Sequence, residues 1–99
     1  MTYQVRYTAQ AREDLRRLFS YLSVRNPTLA REARIRIARA SAILNDFPFT
    51  CRKVKPANPF LRELIISFGS SGFVLLFEIE DASTVTILAV RHQRQEDFL

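Results

Sequence analysis

The sequence is short of the residues that usually staple or loosen a small protein. One cysteine among 99 residues excludes an internal disulfide framework, so the fold has to stand on packing. One histidine beside that single cysteine leaves a structural zinc site without an ordinary ligand set. Two glycines leave little room for a flexible linker, and Gly69 and Gly72 have the wrong spacing and context for a phosphate-cradling loop. No apolar run approaches membrane-spanning length, and Met1-Thr2-Tyr3-Gln4-Val5-Arg6 has no apolar signal region. The expectation is one domain over residues 1–99, without cofactor, metal or membrane, in a reducing cytoplasm.

What is present is charge, unevenly placed. The chain carries 15 Lys+Arg against 10 Asp+Glu, a net +5, which favours anionic partners. Residues 1–55 hold 12 basic and 4 acidic side chains, net +8, whereas residues 56–99 hold 3 and 6, net −3. No repeat or low-complexity tract separates the halves.

Tyr3-Gln4-Val5-Arg6-Tyr7 alternates as a half-buried strand does. From Thr8, a good N-cap, Ala11, Leu15, Leu18, Phe19 and Leu22 recur at helical spacing, with Glu13 and Asp14 in the early turns. Asn26-Pro27 breaks that helix and starts a second, whose stripe is Leu29, Ala33, Ile37, Ala40, Leu44 and Phe47, ended by Pro48. So short a break predicts an antiparallel helical hairpin. Residues 48–59, with three prolines, read as a loop. Phe60 to Phe68, Phe73 to Glu80 and Thr84 to Arg91 read as a three-strand meander joined by Gly69-Ser70-Ser71-Gly72 and Asp81-Ala82-Ser83. The fold class is α+β, in the order β-α-α-β-β-β: an antiparallel sheet with a helical hairpin packed on one face.

Few residues invite catalysis. Arg52 and Lys53 could lower the pKa of Cys51, but no catalytic-cysteine signature surrounds it, and it reads as a small loop residue. Glu78, Glu80 and Asp81 read as a solvated turn. On the second helix Arg31, Arg34 and Arg39, with Arg36 flanking, face away from the apolar stripe; the first helix adds Arg12, Arg16 and Arg17. Such arginines serve solubility or bidentate recognition of a carboxylate or phosphate. His92, at a strand end, either closes a hydrogen bond at the sheet edge or donates a proton beside Arg62 and the Arg52–Lys53–Lys55 loop. That second arrangement would suit RNA cleavage through its own 2′-hydroxyl. Glu63 is the nearest base in sequence, yet strand alternation turns Arg62 and Glu63 to opposite faces. A nucleic-acid-binding or interaction module using the basic helices is a third reading, marked by a steep salt dependence.

The helical hairpin, Arg62-Glu63-Leu64-Ile65-Ile66, and Leu88-Ala89-Val90-Arg91-His92-Gln93-Arg94 before a short tail together resemble the RelE/ParE toxin superfamily over essentially the whole chain. The resemblance implies the toxin half of a bacterial type II toxin–antitoxin (plasmid-stabilisation or addiction) module, bound in a hetero-oligomer by a cognate acidic antitoxin. It offers two activities. A RelE-like chain would be a metal-independent, ribosome-dependent mRNA endonuclease using His92, Arg62 and Arg91. A ParE-like chain would be a non-enzymatic inhibitor of DNA gyrase. The tail lacks a tyrosine, strand lysines are absent and the sheet half is net acidic, which favours the ParE-like branch. On that reading Arg91, His92, Arg94 and Arg62 carry toxicity, while Arg31, Arg34, Ile35 and Phe98 receive the antitoxin.

Overall fold

A computed structural model describes residues 2–69 and 71–92. Strand β1 (Gln4–Tyr7) leads into helix α1 (Ala9–Arg25) and helix α2 (Pro27–Asp46), then a 3-10 turn at Pro48–Thr50. Strands β2 (Arg52–Lys55), β3 (Asn58–Phe68), β4 (Ser71–Asp81) and β5 (Thr84–His92) complete the chain. The α+β class, the helical hairpin and the three-strand meander stand as the sequence predicts.

The helix boundaries follow from their caps. Thr8 Oγ1 accepts from Ala11 N at 3.0 Å, satisfying one of the orphan donors of α1. Asn26 Oδ1 does the same for Thr28 N, at 3.0 Å, with Pro27 at the first position of α2. Ala11 in α1 and Ala30, Ala33, Ile37 and Leu44 in α2 are buried. Leu29 and Phe47, placed in the same stripe by their spacing, are instead 40% and 62% exposed, because both lie at ends of α2.

The sheet order is β1-β5-β4-β3-β2. Two features go beyond the sequence reading. β1 runs parallel to β5, so the sheet is mixed rather than antiparallel throughout as expected, and the segment read as a loop contains β2, antiparallel to β3. All four β2 residues are exposed, so no burial pattern announced the strand. Its lysines and its register shift between Lys53 and Lys55 guard an otherwise open edge.

β4 lies at the centre and buries Phe73, Leu75, Phe77 and Ile79 against the helices, with Ile66 of β3 and Val85, Ile87 and Val90 of β5. The opposite face has no helix over it among the described residues. A bulge interrupts β5: Phe77 pairs with Ile87 and Leu76 with Ala89, leaving Leu88 as the extra residue. The bulge reverses the parity of everything after it. Val90 and His92 therefore turn to the helix-covered face, and Ala89 and Arg91 to the open one.

Candidate functional site

Helix α1 presents Leu15, Phe19 and Val24 along a groove shared with α2, with Arg12 and Arg16 on α1 and Arg34 on α2 as its cations. The spacing of three and four residues puts Arg12, Leu15, Arg16 and Phe19 on one face of α1, with Val24 further along toward its end. The groove is open and has a volume of about 640 Å³. The Arg34 guanidinium lies 4.2 Å from the centre of the Phe19 ring, which holds the charge over an apolar floor. Arg16 donates to Glu13 at 2.6 and 3.0 Å, and Arg17 to the same carboxylate at 3.1 Å. These bonds hold the Glu13 carboxyl well below its usual range, at about 2, with the Arg16 hydrogen bond the largest cause. Beyond the groove the hairpin tip exposes Tyr21, with the Arg25 guanidinium stacked on its ring, and Leu29. An apolar floor rimmed by cations can take an amphipathic segment that carries carboxylates.

Of the antitoxin-contact residues expected from sequence, Arg31, Arg34 and Ile35 are all exposed on α2, and Ile35 is 44% exposed. Phe98 lies outside the described residues, as does Arg94. Arg36 turns away from the groove and donates to Ser67 O of β3 at 3.0 Å, tying α2 to the sheet.

Arg62 is occupied with the backbone. It sits beside Phe77 on the covered face, and its guanidinium donates to Pro59 O at 2.7 Å, Phe49 O at 3.0 Å and Cys51 O at 2.8 Å. Three carbonyls thus close the 3-10 turn and the start of β3 around one cation. Glu63 faces the other way, as alternation requires, and pairs with Arg52, whose Nε donates to it at 2.8 Å. His92 pairs with Phe73 across the strands and stands edge-on to its ring, centroids 5.8 Å apart. Phe73 and Phe77 are four residues apart on β4, so His92 and Arg62 are separated by about 13 Å along the strands and two strands across. The structure sets Arg62 beside Lys53 across β2 and β3, but it does not bring His92 to them. Nor does it join Arg91 to them, since Arg91 opposes Val74 and is exposed on the open face.

Cys51 is half-buried, and that burial pushes its thiol up against weaker lowering by Thr50 and Arg62. Raised in this way it is a poor nucleophile at neutral pH. Among the described residues no three His, Cys, Asp or Glu side chains gather as a metal site would need.

A family model described as "ParE toxin of type II toxin-antitoxin system, parDE" matches residues 5–97. The chain belongs to the ParE toxin family. A search of curated proteins finds no match. Among solved structures, a chain described as "Chromosomal ParDE TA system from P. aeruginosa" superposes with a TM-score of 0.70 at 18% identity, covering 92% of this chain and 96% of that one. At that identity the likeness shows the fold, and the family model carries the membership.

This ParE-family chain also gives two residues of α1 and its cap a long-range role that sequence reading did not assign. Asp14 Oδ2 accepts from Val90 N at 2.9 Å, and Thr8 Oγ1 donates to Leu88 O at 3.1 Å. Both bonds fall at the β5 bulge, whose irregular backbone leaves groups that the ladder does not satisfy. Helix α1 thereby fixes the strand whose last residues include Arg91 and His92. The one sequence signal was an acidic residue on a helix face otherwise lined by arginine and leucine.

Proposed function

We infer that this ParE-family toxin acts by binding DNA gyrase rather than by cutting RNA, and that a cognate acidic antitoxin silences it. The observation that carries the reading is the dispersal of the ionic side chains a nuclease would need. Arg62 is committed to three backbone carbonyls, His92 lies about 13 Å further along the covered face, and Arg91 projects from the other face. A general acid and a charge-stabilising cation have to meet at one phosphate, and these do not. What remains exposed suits binding: Arg91 at the end of β5, and the cation-rimmed groove of the helical hairpin.

The groove favours the antitoxin. An amphipathic helix with carboxylates on one side would lay its apolar residues on Leu15, Phe19 and Val24 while pairing with Arg12, Arg16 and Arg34. Arg31 and Ile35 lie one turn around α2 and extend that surface.

Expression of the chain in a sensitive bacterium tests the target. Gyrase-dependent DNA breaks with intact messenger RNA are expected. Ribosome-dependent transcript cleavage that disappears in His92→Ala would reverse the assignment. In the same cells, Arg34→Glu should leave toxicity in place and weaken rescue by the antitoxin; unchanged rescue would move the antitoxin off the groove.

A further inference from the structure

The β2 edge of the sheet carries a surface unlike that of the helical hairpin. Residues 47–62 hold four cations and no carboxylate, and both lysines of the chain, Lys53 and Lys55, fall among them. Lys53 stands opposite Arg62 and Lys55 opposite Asn58. Strand alternation puts Asn58, Phe60 and Arg62 on one face of β3, the side that the helices cover further in. The bounding carboxylates are Asp46, at the end of α2, and Glu63, which turns to the opposite face and pairs with Arg52. Both lysines are exposed, and among the described residues neither makes an ion pair.

Aromatic rings are uncovered at the same place. Phe49 and Phe60 are 47% and 50% exposed, with ring centres 6.2 Å apart and planes at 72°. The Arg62 guanidinium lies 5.3 Å from the centre of the Phe49 ring, and through the Lys53–Arg62 register this joins the rings to the lysines. Phe47, two residues earlier, is a third exposed ring. Lysines on an edge strand guard it against other strands. That role accounts for the lysines but not for bare phenylalanines beside them, which favour contact with a partner.

We propose that Phe49, Phe60, Lys53 and Lys55 form a site for single-stranded nucleic acid, with bases stacked on the rings and phosphates on the ammonium groups. The register shift between Lys53 and Lys55 interrupts the ladder that an added peptide strand would have to follow, so the ligand is one that meets side chains. Exposed rings take bases of any sequence, because every base has a π-face. Lysine is a point charge that suits a phosphate, without the fork that arginine offers a carboxylate. Lys53 and Lys55 are about 7 Å apart along β2, which leaves each room for its own phosphate on an extended strand. A duplex keeps its bases inside the stack and offers the rings nothing. The assignment rests on neither gyrase as target nor the helical groove as antitoxin site, and it requires no strand cleavage.

Fluorescence anisotropy of a short labelled oligothymidine, titrated with the purified full chain at low salt, tests it. The strand should bind more tightly than a duplex of the same length. Phe60→Ala should weaken binding by at least about fivefold, and removing both lysines should flatten the log–log salt slope by about 1.4. An oligouridine of the same length is the second arm: preference for either sugar supports the site and names its source as DNA or RNA. Circular dichroism confirms that each variant is folded. Failure of both strands to bind at low salt overturns the proposal. So does binding that survives Phe60→Ala, Lys53→Ala and Lys55→Ala together, since it would belong to the arginines of the helices. An oligoglutamate held as tightly as the strands, and lost in the same variants, would overturn it in favour of an acidic peptide.

Discussion

In the helical hairpin most of the arginines reach no further than their own helix or the one beside it, Arg36 with its bond to Ser67 O being the exception. Arg16 and Arg17 bond to Glu13, Arg25 stacks on Tyr21, and Arg34 crosses only to Phe19. In the sheet they span the chain: Arg62 holds carbonyls 11 and 13 residues away, and Arg52 reaches Glu63 on the neighbouring strand. The apolar residues divide in a similar way. The helices meet the sheet through Ala11 and Ala33, small enough for close approach, and through Ile37 and Leu44, while the sheet supplies the larger share, Phe73, Leu75, Phe77, Ile79, Val85 and Ile87 among them. The core thus belongs mainly to the sheet, and the helices spend their cations on the surface. The charged surface therefore lies on the part that contributes less volume to the core.

The largest test of this division is Phe77→Ala. Its side chain is fully buried on the central strand, and truncation should cost about 3–5 kcal/mol, read as a shift of the urea midpoint. Leu22→Ala on half-buried α1 should cost less, below about 2 kcal/mol. Equal costs would show that the hairpin carries as much of the core as the sheet.

The arginines give the next effect. Arg62→Ala removes a cation from three carbonyls and should destabilise by about 2 kcal/mol, while Arg16→Ala, at a solvent-exposed position, should leave the midpoint almost unmoved. A fall in toxicity of Arg62→Ala that tracks its lost stability places this residue in the framework. A fall at unchanged stability would instead make it a contact residue and break the comparison.

Much of this was legible beforehand, for local reasons. Thr8, Asn26 and Pro27 are capping residues whose chemistry acts within four positions, and the structure uses each as a cap. The alternation that sends Arg62 and Glu63 to opposite faces is equally local. What escaped depended on distant partners. β2 has no buried residue to mark it and exists by pairing with β3. The bulge at Leu88 sits inside an unbroken β-favouring run from Thr84 to His92, and Asp14 and Thr8, more than 70 positions earlier, bond to it. Counting alternation straight through that run would put Arg91 under the helices. The bulge sends it to the open face, and with it the geometry of the candidate toxicity residues changes.

The smallest effect lies in the acid range and concerns the local pairs of α1. Glu13 has its carboxyl lowered from 4.5 to about 2, chiefly by the Arg16 hydrogen bond. A carboxylate depressed in the folded state stabilises it above its unfolded value and loses that contribution as the pH falls through the folded one. Wild type should therefore lose a small increment of stability between about pH 4.5 and 2, and Glu13→Gln should flatten that part of the acid limb. The increment should shrink further in salt, because the pair is open to solvent. If Glu13→Gln instead shifted the midpoint as far as Arg62→Ala, the helical arginines would be bearing on the fold rather than dressing its surface. An acid limb identical in variant and wild type would mean that the Glu13–Arg16–Arg17 cluster does not form in solution. In that case those two arginines stand free for a carboxylate brought by the antitoxin.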